Sequence, residues 1–269
     1  MAGKLAYKKA MFEVATLGSG SAGNAMLVRG AATAILVDAG LSAKQIVTRL
    51  ATHGVRPEDL SGVLITHEHS DHTSALKVLL AKHRIPVYCN AFTAHALTDE
   101  GVKNAQWQLF QNGAEFSVGE FSVKAFSVPH DASDPVGFRI TCREVAFGVL
   151  TDLGYATRLA FDMLQGVEGL FVESNYDEAM LDGDTRRPWG VKNRIKSRHG
   201  HLSNVAAAAV VAELDAPALR HVILGHLSRD CNAPHLAEES IKSTLAKIAR
   251  DATTFCAAQD TPSPRFALI

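Results

Sequence analysis

The chain has 269 residues, with 27 Lys and Arg against 28 Asp and Glu and a mean hydropathy of +0.04. Charges that nearly cancel exclude a protein that coats nucleic acid by bulk attraction and leave only a local basic patch open. No apolar run reaches the roughly 18 residues that a membrane span needs, and the Lys-bearing start up to Met11 leads into no signal-type apolar core.

Phe12 to Leu17 reads as a strand, and Gly18-Ser-Gly-Ser-Ala-Gly23-Asn24 follows it. The run matches Gly-x-Gly-x-x-Gly, with Asp38 at the distance of a ribose-binding acid. A dinucleotide site requires a helix to open at Gly23, whereas Ala25 to Val28 and Ala34 to Asp38 read as two short strands around a turn at Gly30. The glycines then serve a tight turn with positive φ. Such a loop, ending at Asn24, presents free N–H groups that could hold a phosphate oxygen. Ser42 to His53 is a predicted helix, capped by Ser42, with Ile46, Val47 and Leu50 inward.

Residues 63–72, Val-Leu-Ile-Thr-His-Glu-His-Ser-Asp-His, are the centre of the chain. Val63 to Ile65 suit a strand buried on both faces. Ser70 and Asp71 carry helix-start chemistry, and Leu76, Leu79 and Leu80 continue at helical spacing. His67 and His69, two apart on extended backbone, would point to the same side, with Asp71 and His72 following on the turn. Four ligand-type side chains within six positions suit a cation that takes nitrogen and oxygen ligands. The bland alternative makes Asp71 a helix cap and the histidines surface groups.

Strands are then expected at Pro86 to Cys89, Gln106 to Phe110, Glu115 to Val118 and Phe121 to Val128, with a helical turn or two over Ala91 to Leu97. Asn112-Gly113 and Gly119-Glu120 are hairpin signals. Gly137 to Thr141 pairs with Val145 to Leu150, a helix runs on to about Gln165, and Leu170 to Tyr176 is a strand with a polar end. Residues 182–200 are polar and basic. His201 to Asn204 caps an Ala-rich helix to Leu214, His221 to Leu224 is a strand, and Pro234 to about Arg250 a helix. A tail follows, with a final strand at Phe266 to Ile269. Cys89, Cys142, Cys231 and Cys256 form no Cys-x-x-Cys pair, so reduced thiols in a cytoplasm are expected. No linker interrupts the chain, so one α/β domain is expected over 1–269.

Ligand-type residues recur at strand ends: His130, Asp152, His201 and His226. Taken with the central cluster, Thr-His-Glu-His-Ser-Asp-His resembles the His-x-His-x-Asp-His signature of metallo-β-lactamase-fold hydrolases. That resemblance implies a four-layer αββα sandwich of two mixed sheets and two divalent cations, zinc or else manganese or iron. It assigns His67, His69 and His130 to one cation, Asp71, His72 and His226 to the other, and Asp152 to both. Leu-Gly-Ser-Gly-Ser-x-Gly-Asn at 17–24, Asp-Ala-Gly-Leu-Ser at 38–42, Pro-His-Asp-Ala-x-Asp-Pro-Val-Gly-Phe at 129–138 and Glu-Ser-Asn-Tyr-Asp at 173–177 are similar to the bacterial YycJ/WalJ branch. So are Gly-His-Leu-Ser-Asn at 200–204 and Gly-His-Leu-Ser at 225–228.

The resemblance implies phosphodiester hydrolysis, in the form of a 5′-to-3′ exonuclease on single-stranded or end-bearing DNA. Asp71 would orient the attacking hydroxide, His201 would contact the phosphate or act as general acid, and Glu173 would orient His201. The rivals are a small-molecule hydrolase of the same fold, acting on a thioester, lactone or cyclic phosphate, and a metal-binding protein without turnover. Arg186, Arg187, Lys192, Arg194, Lys196 and Arg198, with no acid between them, favour the nuclease. Arg194, Lys196 and Arg198 are candidate contacts to the strand, and Trp189 could stack on a base.

Overall fold

The structure, a computed structural model, describes residues 11–269, so the expectation for residues 1–10 lies outside it. β1 (Phe12–Gly18), β2 (Ala25–Gly30) and β3 (Ala34–Val37) pair antiparallel in succession. The chain after Gly23 therefore returns along β1 and opens no helix, which removes the dinucleotide fold. α1 (Ala43–Thr52) begins at Ser42, whose side chain accepts the Gln45 N–H while Gln45 accepts the Ser42 N–H. Its buried face is Ile46, Arg49 and Leu50, at i, i+3 and i+4. Val47, expected inward, is 37% exposed. Arg49 takes the inner position because its guanidinium donates to the carbonyls of Leu17, Gln259 and Asp260.

β4 (Leu60–Leu64), α2 (Ser70–Thr73), α3 (Leu76–Lys82), β5 (Pro86–Cys89), α4 (Ala91–Asp99) and β6 (Gln106–Leu109) complete a run in which β3 to β6 are parallel. His67 and His69 lie on the turn between β4 and α2 rather than on extended strand. The chain then changes sheets. β7 (Glu115–Val118) pairs with β8 (Phe121–Ser127) through the expected hairpin at Gly119-Glu120, but β6 and β7 belong to different sheets. Asn112-Gly113 is thus a crossing between layers and not a hairpin. Its Asn112 side chain donates to Ser127 and to the Asp134 carboxylate.

β9 (Val136–Cys142) and β10 (Val145–Leu150) continue the meander. After α5 (Arg158–Leu164) come β11 (Gly169–Glu173), α6 (Glu178–Gly183), α7 (Trp189–Ile195), α8 (Asn204–Glu213), β12 (His221–Gly225), α9 (Pro234–Lys247) and β13 (Thr253–Cys256). β10 to β13 are parallel. β14 (Phe266–Ala267) returns to the first sheet beside β1. Three elements were not foreseen. α6 follows the polar end of β11, α7 occupies the basic stretch, and β13, a short and half-exposed edge strand, lies in what reads as tail.

Two seven-stranded sheets result, in the orders β14-β1-β2-β3-β4-β5-β6 and β13-β12-β11-β10-β9-β8-β7. Side chains alternate across each strand. Ile35 and Val37 enter the cluster between the sheets, with Phe138, Phe147, Phe171 and Ile223, while Leu36 packs outward with Ile46 and Leu79. On the second sheet Phe171 faces inward, and Leu170 and Val172 meet the helices through Leu164, Val211 and Ile241. Strands buried on both faces need continuous apolar runs, which is why Ala34 to Val37 and Leu170 to Val172 lack alternation in polarity. This is the expected four-layer αββα sandwich. Phe147 is fully buried between the sheets. Phe147→Ala is expected to cost about 3–5 kcal/mol by leaving a cavity there, measured as a lowered urea midpoint with chelator present.

Candidate metal centre

Parallel strands place their carboxyl ends together. Asp38 follows β3, Asp152 lies just beyond β10, Glu173 ends β11 and His226 follows β12. Asp38, Asp152 and His226 have φ of 60°, 53° and 55°, in the left-handed region. That backbone costs a non-glycine residue on the order of 1–3 kcal/mol. Here it turns Asp152 and His226 off the strand line and into one cleft, and Asp38 beneath it against the His72 ring. The turn at 66–72 is held against it: the Asp71 carbonyl accepts the Asn24 N–H at 2.8 Å, and a Cβ on Gly40 would overlap that same carbonyl.

Ligand-type atoms converge there in overlapping groups whose members lie within 4.8 Å of one another. His67, His69 and His130 form one group, and Asp71, His72 and His226 another. Asp152 stands between them, its carboxylate 3.1 Å from His72 Nε2 and 3.6 Å from both His130 Nε2 and His226 Nε2. Asp71 is 3.1 Å from His226 Nε2.

An outer layer of acceptors fixes the rings. His72 Nδ1 donates to Asp38 at 2.7 Å, His226 Nδ1 to Glu173 at 2.8 Å, and His130 Nδ1 to the Gly200 carbonyl at 3.1 Å. Thr66 donates its hydroxyl proton to Asp38, and its oxygen accepts from His67 Nδ1 at 3.0 Å. Each bond puts a proton on Nδ1 and turns an Nε2 lone pair toward the cluster, the arrangement a metal-ligating histidine requires. His67 Nε2 is buried and has no hydrogen-bond partner. An orphaned lone pair beside carboxylates and further imidazoles fits a divalent cation with nitrogen and oxygen ligands.

Comparison with known proteins agrees with this chemistry. The model of the beta-lactamase superfamily domain matches residues 33–227. Exodeoxyribonuclease WalJ of Streptococcus pneumoniae is 33% identical over 261 residues, covering 94% of this chain and 97% of that protein. Exodeoxyribonuclease YycJ of Bacillus anthracis is 36% identical over 231 residues, 85% of this chain and 87% of that one. The chain belongs to the beta-lactamase superfamily. Within it, the chain is a YycJ-like metal-dependent hydrolase. The crystal structure of the metallo-beta-lactamase fold protein YhfI from Bacillus subtilis superposes with a TM-score of 0.73 at 18% identity, covering 96% of this chain and 100% of that one, a likeness of fold.

Electrostatics in this YycJ-like centre follow from burial against pairing. Burial disfavours charge on Asp152, but His226 and His72 outweigh it and hold the carboxyl well below its usual range. Burial also opposes charge on His72 and His226, yet Asp152 raises both well above an ordinary imidazole. His67 has no such counterweight, and burial, with the charge of His72, pushes it down. For His201 burial is again outweighed, by Glu173, and the ring is pushed up.

His201 Nδ1 donates to Glu173 at 2.6 Å, and the ring borders the cleft at 22% side-chain exposure. Glu173 is fully buried. It also accepts from His226 Nδ1 and from the N–H groups of Leu153 and Leu202. It is therefore a shared anchor for two rings. Asn24, expected at substrate, is buried, with its side chain engaged by Ser19, Gly20 and Asp71 and its amide 3.3 Å from His72 Nε2. Its place is that of a brace for the turn. Of the expected strand contacts Arg194 borders the cleft, whereas Lys196 pairs with Asp182 and Arg198 lies over the Tyr155 ring at 4.6 Å. Among the described residues neither Lys196 nor Arg198 lines the cleft.

Sequence reasoning missed Asp38, set aside with the ribose site, and Glu68. The signal for Asp38 was the one that found Asp152, an acid at the end of an apolar strand. Glu68, between the candidate ligands His67 and His69, accepts from the Ser133 N–H at 2.7 Å and its hydroxyl at 2.8 Å, tying in the turn that carries His130. Asp38→Ala removes the acceptor that sets the His72 tautomer. It is expected to weaken metal binding about 10–100-fold, measured by competition with a chromophoric chelator, with folding retained by circular dichroism.

Proposed function

We propose that the chain is a binuclear metal-dependent phosphodiesterase that degrades DNA as a 5′-to-3′ exonuclease in the cytoplasm. The observation that carries this reading is His201, a ring anchored at Nδ1 by a buried carboxylate, with Nε2 free beside the ligand cluster. A sugar alkoxide is a poor leaving group and needs a proton donor. A thiolate, whose thiol has a pKa of about 8.5, leaves without one. A dedicated donor therefore favours a phosphodiester over a thioester. DNA as the polymer is supported by the names of the WalJ and YycJ relatives. The direction rests on the motif resemblance, and four free cysteines suit a reducing compartment.

His67, His69 and His130 would hold one cation and Asp71, His72 and His226 the other, with Asp152 shared, and bound cations would acidify a water and offset charge on the phosphate oxygens. The residues then divide the work. The Asp71 carboxylate, 25% exposed in the cleft, accepts a hydrogen bond from the attacking water and orients it. As the bond from phosphorus to the leaving oxygen breaks, His201 Nε2 gives its proton to that oxygen. Glu173 keeps the His201 ring aligned and stabilises its charge.

His201→Ala is expected to keep both metals by elemental analysis and to lower the maximal rate on 5′-labelled single-stranded DNA by roughly 10²–10⁴-fold. Asp152→Ala is expected to lose metal as well as turnover. A wild-type protein that leaves DNA intact with manganese or zinc, yet turns over a thioester or lactone, would overturn the reading.

A further inference from the structure

The cleft, of about 290 Å³, has two walls of different character. One is the ligand cluster. The other is α7, through Val191, Arg194 and Ile195, with Arg187 just before it. Of the six cations between 186 and 198, Arg187 and Arg194 are the two that line the cleft. Arg187 is held between Asp184, itself 6% exposed, and Asp230 at 3.0 Å. Arg194 is held differently. Its side chain is 71% exposed, and its partner is Asp131, at 2.6 Å from Nε. Asp131 also lines the cleft and stands 3.4 Å from His130 Nε2.

In the absence of substrate Arg194 neutralises this carboxylate. An ion pair this exposed contributes little stability, so its guanidinium can exchange partners at small cost, whereas a bidentate contact to phosphate is among the stronger charge-assisted hydrogen bonds. The Arg187 pairs, closed around a buried carboxylate, lack that freedom. We propose that the α7 wall is a nucleotide subsite in which Arg194 exchanges Asp131 for a phosphate neighbouring the scissile one. Val191 and Ile195 offer an apolar face to the attached sugar or base. The subsite rests on the phosphodiesterase reading above and names the part of a polynucleotide that a small diester lacks.

Three variants of the full chain test it: Arg194→Gln, Asp131→Asn, and Lys192→Gln as a cation of the same helix away from the cleft. Binding of a fluorescein-labelled single-stranded oligonucleotide is followed by anisotropy in EDTA, and turnover of that DNA and of bis(p-nitrophenyl) phosphate is followed with manganese. Arg194→Gln is expected to weaken binding roughly 10-fold, the effect of losing one charge-assisted contact, and to spare the small diester. Asp131→Asn is expected to tighten binding, and Lys192→Gln to leave it unchanged. Equal weakening by Lys192→Gln would reduce the effect to diffuse charge. Weakening by Asp131→Asn would make the pair a brace for the His130 turn, and loss of small-diester turnover in Arg194→Gln would indicate damage to the metal centre. Each of these results overturns the subsite while leaving the phosphodiesterase reading in place. A wild type that cleaves neither diester removes that reading, and the subsite with it.

Discussion

Three carboxylates lie buried at or beneath one cleft, Asp38 at 3%, Asp152 at 2% and Glu173 at 0% exposure, and the site is arranged around supplying them with hydrogen-bond partners. An ionised carboxylate withdrawn from water costs several kcal/mol unless partners replace its hydration. Asp38 receives His72 and Thr66, Asp152 faces His72, His130 and His226, and Glu173 receives His201, His226 and two backbone N–H groups. The partners come from both sheets. Asp38 is met within the first sheet and Glu173 within the second, while His72 leaves the first sheet and meets Asp152 of the second, so Asp152 is the acid that both layers serve. The seam between the sheets is therefore the place where a dication could replace imidazolium charge.

Much of this was legible in the chain because strand ends announce themselves. An apolar run that stops at Asp or His marks a point where the backbone leaves the sheet, and it found His67, Asp152 and His226 without coordinates. The signal cannot say which ends meet. Asp38 carries the same mark, but it followed a glycine-rich turn that invited comparison with a ribose site. The antiparallel return of β2 along β1, which the two short strand runs after Gly23 anticipate, removes that site. Asn112-Gly113 misled for a related reason. A turn dipeptide reports local φ and ψ and not the layer that the next strand joins.

Charge along the chain is the least legible quantity of all. Residues 186–198 hold six cations and no acid, yet Asp131, Asp182, Asp184 and Asp230 are brought to them from outside that window. Lys192 is also occupied, by the Asp182 carbonyl. A linear count treats these cations as equivalent, whereas the fold separates those closed into networks from one that stays exposed on the cleft.

The turn that carries His130 joins the candidate metal ligands to the proposed substrate wall. It leaves β8, in the second sheet, but its position is set from the first. Glu68 binds Ser133, Asn90 donates to the Asp134 carbonyl at 2.7 Å, and Asn112 donates to the Asp134 carboxylate at 2.9 Å. These contacts locate His130 against His67 and His69 independently of how the apolar faces pack. They locate Asp131 as well, since it is the next residue. The candidate ligand His130 and the anion that holds Arg194 thus hang from one pinned turn. In the proposed reading, a shift of that turn would move the ligand and the phosphate-facing wall together, and so keep the reacting phosphate in register with its neighbour.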